Sequence, residues 1–244
     1  MNLSQKKRRF GLTQKLIVTL LASSLGIAGM PSIVLAQTYI PPDRGLPGRR
    51  EGGGTRGICI TSQPNLTALI PKTNFGLTTQ AHPTLFWYIP TTTATLIEFE
   101  LRNEQDEIIF TDQMPTPETA GIIPVHLPRS EQTTLEPGKL YHWYFTLVCD
   151  PQDRSGDVIT EGWIERSIPD AALTRQLETA TAEERALLYA KAGIWYDALS
   201  TLADLQVAQP DQPAPDSWSD LLSDADLQTL ADKPLIPFCP LSPR

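Results

Sequence analysis

The sequence predicts a segregated α+β protein: an antiparallel β-sandwich over residues 57–168, then a small α-helical unit over residues 169–233. Three observations predict it. Short apolar runs alternate with period two through the first half of the chain, turn residues separate them about every 8–12 positions, and after Asp170 the apolar period lengthens to that of a helix.

The chain opens with a leader. Lys6, Lys7, Arg8 and Arg9 precede the apolar run "LIVTLLASSLGIAGM", and Pro31 breaks that run before "VLAQ". Val34 and Ala36 are the small residues of a cleavage site, so the mature chain is expected to begin at Gln37, after a signal peptide of residues 1–36. The run is about 15 residues, short of the roughly 20 that a spanning helix needs. Left uncut, the same segment would be an N-terminal anchor. No later run is long and apolar enough to cross a membrane. The expected location is therefore secreted or periplasmic, in the cell envelope.

Residues 37–56, "QTYIPPDRGLPGRREGGGTR", are rich in proline and glycine with little to bury, and read as a flexible linker; alternatively, with four arginines to two acids, they are an arm that docks on an anionic partner or on the protein's own acidic body. The strands follow. "HPTLFWYIP" is an aromatic run bounded by prolines. "ATLIEFELR" puts Ile97, Phe99 and Leu101 on one face and Glu98, Glu100 and Arg102 on the other; "NEQDE" turns it into a return strand starting "IIF". "GIIPVHLP" contains a proline and reads as an edge or irregular strand. "KLYHWYFTLVC" sets Tyr141, Trp143, Phe145 and Leu147 against His142, Tyr144 and Thr146, and "VITEGWIERS" closes the set.

Helix signals begin at Asp170, a cap for a helix carrying Leu173 and Leu177. Thr181 and Glu184 form a capping box for a second helix running to Gly193. A third carries Leu199, Leu202 and Leu205 and ends at Pro210, and Ser223 with Asp226 would cap a last short one. The helices are expected to pack on the strands. Residues 234–244 are a proline-rich tail.

Charge narrows the partners. Without the leader, 15 basic residues face 28 acidic ones, a net charge of −13. Such a surface repels phosphate backbones, which argues against nucleic acid. Of the three cysteines, Cys59 opens the strand region and Cys149 closes a strand, so these two are the expected disulfide, with Cys239 left over. That bridge would enclose about 90 residues and stabilise by about 4 kcal/mol through loop entropy.

The richest cluster is "CDPQDRSGD", residues 149–157. Asp150, Asp153 and Asp157 with Gly156 could hold calcium, though the spacing departs from an EF-hand loop. Ser155 with His142 or His126 would make a hydrolase, but no nucleophile elbow surrounds that serine. The plain alternative is a turn between two strands. A zinc site would need His82, His126 and His142 to converge. "GGGTRG" lacks the lysine of a phosphate-binding loop. Trp87, Trp143 and Trp163 suit a core better than a sugar platform.

The strand wording of residues 64–168, above all "LEPGKLYHWYF", resembles immunoglobulin-like and fibronectin type III domains. "AKAGIWYDALSTLADLQVAQPDQPAPDSW" is similar to tetratricopeptide repeats. "PPDRGLPGRREGGGTRG", "LTALIPKTNFGLTTQAHPTLFWYIP", "LYHWYFTLVCDPQDRSGDVITEGWIER" and "AGIWYDALSTLADL" together resemble a cyanobacterial group of exported proteins, domain of unknown function 928 (DUF928), from about Pro41 to Leu235. That resemblance implies an envelope or extracellular setting and carries over no activity and no site residues. The expected function is a non-catalytic interaction or structural module with a protein partner in the envelope and no cofactor. The alternative is a carbohydrate-binding module that meets polysaccharide through Trp87, Tyr88 or Tyr144; the third reading is an envelope hydrolase.

Overall fold

In the computed structural model, residues 39–53, 59–60 and 62–237 are described. The leader with its cleavage point at Ala36 and Gln37, residues 54–57 of the "GGGTRG" stretch and Cys239 lie outside them.

Among the described residues, eight strands form two sheets. β1 (Thr67–Ala68), β3 (Thr84–Ile89) and β6 (Gly121–His126) make a three-stranded sheet in the order β1-β3-β6. β2 (Phe75–Thr78), β4 (Leu96–Arg102), β5 (Ile108–Pro115), β7 (Leu140–Val148) and β8 (Val158–Arg166) make a five-stranded sheet in the order β2-β8-β7-β4-β5. All pairs are antiparallel except β2 with β8. The expectation of a purely antiparallel set fails there, because the rest of the strand region forms the crossover between β2 and β8.

Alternation decides which face of each strand is dry. Ile97, Phe99 and Leu101 of β4 and Trp143, Phe145 and Leu147 of β7 point inward and are buried. The two sheets meet over them at Trp87. Its indole stacks on Phe145 at 4.4 Å and stands edge-on to Trp143 and Phe99 at 5.2 and 5.8 Å. Its Nε1–H donates to Thr160 Oγ1 at 3.0 Å, so the one polar atom of the ring is satisfied in the core. Gly162 of β8 lies under the Trp143 indole, where a Cβ would overlap the ring.

Among the described residues, four helices follow: α1 (Ala171–Thr179), α2 (Ala182–Lys191), α3 (Trp195–Ala208) and α4 (Asp216–Asp224). Asp170 caps α1 by accepting from Leu173 N–H, and Thr181 with Glu184 forms the reciprocal capping box of α2. Gly193, at φ +74°, makes the reversal into α3. The last capping expectation is displaced: α4 starts after Pro215, Ser223 lies inside it, and Asp226 adopts φ +58° beyond its end. A single 3-10 turn, Gln228–Leu230, comes after.

α3 packs on β2 and β3. Tyr196 lies over Gly76 and accepts a hydrogen bond from Trp143 Nε1 at 3.2 Å, while Trp195 Nε1 donates to Leu69 O at 2.8 Å. Asp197, buried in the first turn of α3, accepts from Thr78 Oγ1 at 2.6 Å, Thr79 N–H at 3.0 Å and Thr79 Oγ1. Sheets and helices fall in one compact unit.

Residues 39–53 do not behave as a free spacer. Arg49 pairs with Glu161 and Glu51 with Thr67 as short β-bridges. Arg50 is buried, its guanidinium donating to Ala225 O at 2.6 Å, Asp226 O at 3.1 Å and Ile70 O at 3.3 Å. Tyr39 packs edge-on to Trp195 at 5.0 Å. The segment is held by backbone bridges and one buried cation, neither of which needs a periodic apolar pattern. The tail also begins in a pairing: Leu235 bridges to Ile122 of β6. Among the described residues no helix is long and apolar enough to cross a membrane.

Candidate functional site

Cys59 and Cys149 are joined by a disulfide, with their Cα atoms 5.4 Å apart. Beside it the acidic loop spends its carboxylates on itself. Asp150 accepts from Gln152 N–H at 2.8 Å, Asp153 from Ser155 N–H at 3.0 Å, and Asp157 from Cys149 N–H at 3.1 Å. The other oxygen of Asp157 is paired with Arg154, which also reaches Glu98. The calcium reading of Asp150, Asp153 and Asp157 therefore finds no convergent ligand set. Among the described residues no three His, Cys, Asp or Glu side chains are grouped to hold a metal. Ser155 sits in the 3-10 turn Arg154–Gly156 beyond the Val148 end of β7, whereas His142 lies near the other end of that strand.

The histidines do not converge either. His82 lies 3.4 Å from Thr134 Oγ1, His126 Nδ1 is 2.7 Å from Thr84 Oγ1, and His142 Nδ1 is 3.1 Å from Tyr144 OH. His142 belongs to a ladder on the outer face of the five-stranded sheet. It stacks on its cross-strand neighbour Trp163 at 3.9 Å and tilts against Tyr144 at 4.3 Å. Arg102 lies over the Tyr144 ring at 5.0 Å, and Trp163 Nε1 donates to Pro47 O at 2.7 Å. Burial lowers the His142 pKa, and Glu161, with an oxygen 3.4 Å from Nε2, partly restores it.

This geometry weakens the sugar-platform expectation. Trp87 and Tyr88 are 0% and 4% exposed, and only Tyr144 of the three reaches the surface, beneath Arg102. Sugar stacking needs an open ring face, and Arg102 lies over one face of that ring.

A mostly apolar groove lies elsewhere among the described residues. Because Trp87 faces the other sheet, Thr84 and Phe86 of β3, with their partners His126 and Pro124 of β6, face outward toward α3. A groove of about 270 Å³ runs between that face and Ala203, Asp204 and Val207, closed by Leu235, Ile236 and Pro237. Val207 is 70% exposed at its rim. Burial pushes the His126 pKa down and the Asp204 pKa up, and the charge of each partly offsets the shift of the other. Sequence reading missed this groove except for His126. Val207, an apolar residue off the Leu199–Leu202–Leu205 stripe, was the one available signal.

The profile of the family described as Domain of Unknown Function (DUF928) matches residues 51–235. The chain belongs to that family. All eight strands, all four helices and both bridged cysteines of this DUF928 member fall inside the match. No curated protein matches it. Among solved structures, the fn3 domain of human collagen alpha-1(XX) chain aligns over 54% of this chain and 93% of its own length, at 11% identity and a TM-score of 0.27. An overlay that weak carries no argument.

Proposed function

We propose that this DUF928 member is an exported, non-catalytic interaction module of the cell envelope that docks a protein partner in the groove between β3, β6 and α3. The carrying observation is the groove itself. At about 270 Å³ it falls just short of the roughly 300–1,000 Å³ usual for small-molecule sites, and its walls are mostly apolar. It suits one or two apolar side chains of a protein better than a glycan or a cofactor. Its ionisable rim of His126 and Asp204 would set orientation more than affinity.

The finer fold reading belongs to the same proposal. The two sheets, joined through Trp87, are read as an immunoglobulin-like sandwich, and α2 with α3 around Gly193 as a tetratricopeptide-like pair. Both scaffolds suit presentation of a surface. The leader supports export, and the DUF928 resemblance supports a cyanobacterial setting.

The test is affinity capture from a detergent-solubilised envelope extract, with the wild-type chain and its Val207→Glu and Tyr144→Ala variants as baits. One protein retained by wild type and Tyr144→Ala but lost with Val207→Glu is the expected result. Equal retention by all three baits contradicts the groove. Polysaccharide lost only with Tyr144→Ala would favour the sugar reading instead, and a hydrolysis abolished by Ser155→Ala or His142→Ala the enzymatic one.

A further inference from the structure

Both cysteines of the bridge line a cavity of about 450 Å³, together with Thr93, Asp150, Asp153 and Ser155. Cys59 is 2% exposed, whereas Cys149 is half-buried at the cavity wall, so the bridge is approached from the Cys149 side. Each cysteine is also fixed without the sulfur–sulfur bond. Cys59 O accepts from Thr92 Oγ1 at 2.7 Å and Thr93 N–H at 2.9 Å, and Ile60 bridges to Thr92. Cys149 directly follows β7, and its N–H donates to Asp157 at 3.1 Å. Opening the bridge therefore leaves two thiols held beside each other, able to close again.

The charge of this cavity is one-sided. Asp150 and Asp153 are exposed in its wall, and the backbone N–H groups they accept from leave their negative charge in place. The nearby cation, Arg154, is paired with Glu98 and Asp157. Among the described residues no lysine, arginine or histidine lines the cavity. Thiol–disulfide exchange is carried out by a thiolate, and its transition state spreads negative charge over the reacting sulfurs. Carboxylates beside that path oppose an anionic attacker and favour one that brings positive charge with it.

We propose that the Cys59–Cys149 bridge is a redox site that exchanges electrons with a dithiol carried on a cationic surface, and that its acidic wall turns anionic thiols away. One thiolate of the dithiol attacks Cys149 Sγ. The S–S bond breaks, and its electron pair leaves on Cys59 Sγ, which takes up a proton. The second thiolate then attacks the mixed disulfide and frees Cys149, which is protonated in turn. Two electrons pass to the chain, and the dithiol becomes a disulfide. The site is separate from the groove between β3, β6 and α3 and does not depend on what docks there.

The test is the rate at which the folded chain is reduced, in a Cys239→Ser background so that no third cysteine can exchange. Dithiothreitol is the neutral probe, cysteamine the cationic thiol and mercaptoethanesulfonate the anionic one, the last two compared at equal thiolate concentration. Alkylation and peptide mass mapping read the opened bridge. Dithiothreitol should open it without denaturant, and removing the reductant in air should restore the same pair. At low salt the cation-to-anion rate ratio should stand roughly tenfold or more above that of an Asp150→Asn, Asp153→Asn double variant. Those substitutions remove the charge and keep an oxygen for the same backbone bonds. High salt should bring the wild-type ratio down toward that of the variant. Should the double variant disturb the circular dichroism spectrum, the salt dependence carries the test. A bridge that dithiothreitol leaves closed overturns the proposal, as does a rate ratio unchanged by the double substitution or by salt.

Discussion

At the scale of single residues, His142 shows how a polar side chain is accommodated on a sheet face. Its ring lies between Trp163 and Tyr144, and the cost falls on the charged form, so its pKa is lowered mainly by burial. His126 is lowered for the same reason. The sign is fixed by linkage: the unfolded chain, with histidine pKa near about 6.5, binds the proton more readily than the folded one. The stability these residues contribute is present above that pH and lost as pH falls through their lowered folded values. Urea unfolding measured between neutral and mildly acidic pH should show this loss, and His142→Phe should make the slope shallower while His126 keeps part of it. Parallel curves for wild type and variant would show that His142 is not the titrating group.

At the scale of elements, the best-read parts are those whose signal is contained in a few neighbouring residues. The alternation of Ile97, Phe99 and Leu101 marks β4, and Thr181 with Glu184 marks the start of α2, because one strand face and one helix cap are local matters. β2 escaped notice for a physical reason: three of the four residues in "FGLT" are buried, on both faces, so nothing alternates. α4 carried a legible stripe in Trp218, Leu221 and Leu222, but the Ser223–Asp226 pair drew the predicted cap past it. Asp197 is the least legible contact, since its partners Thr78 and Thr79 are more than a hundred residues away. It joins α3 to β2. Asp197→Ala would leave buried hydroxyl and amide donors without their charged acceptor and should cost about 3 kcal/mol. Denaturant unfolding would measure it, and a loss below about 1 kcal/mol would show that apolar packing alone holds the helix.

At the scale of the whole molecule, helices, sheets and the residues 39–53 segment depend on one another. Arg50 reaches the end of α4 and the residues after β1 together, and Tyr196 of α3 contacts Trp143 in the core of the strands. The proposed docking groove exists only because of that assembly: Phe86, Pro124, Val207 and Ile236 come from four separate parts of the chain. No sequence period could have announced it. By contrast, the loop "CDPQDRSGD" looked rich in chemistry and proves to be a self-satisfied turn beside the disulfide. The most direct test of the groove as a protein-docking surface is site-specific photo-crosslinking in the source cells. The photoreactive residue would replace Val207 in one strain and Ile159, exposed on the outer face of the five-stranded sheet, in another. One discrete protein adduct at position 207 and none at 159 is the predicted result. No adduct at 207, or the same adducts at both positions, would contradict it.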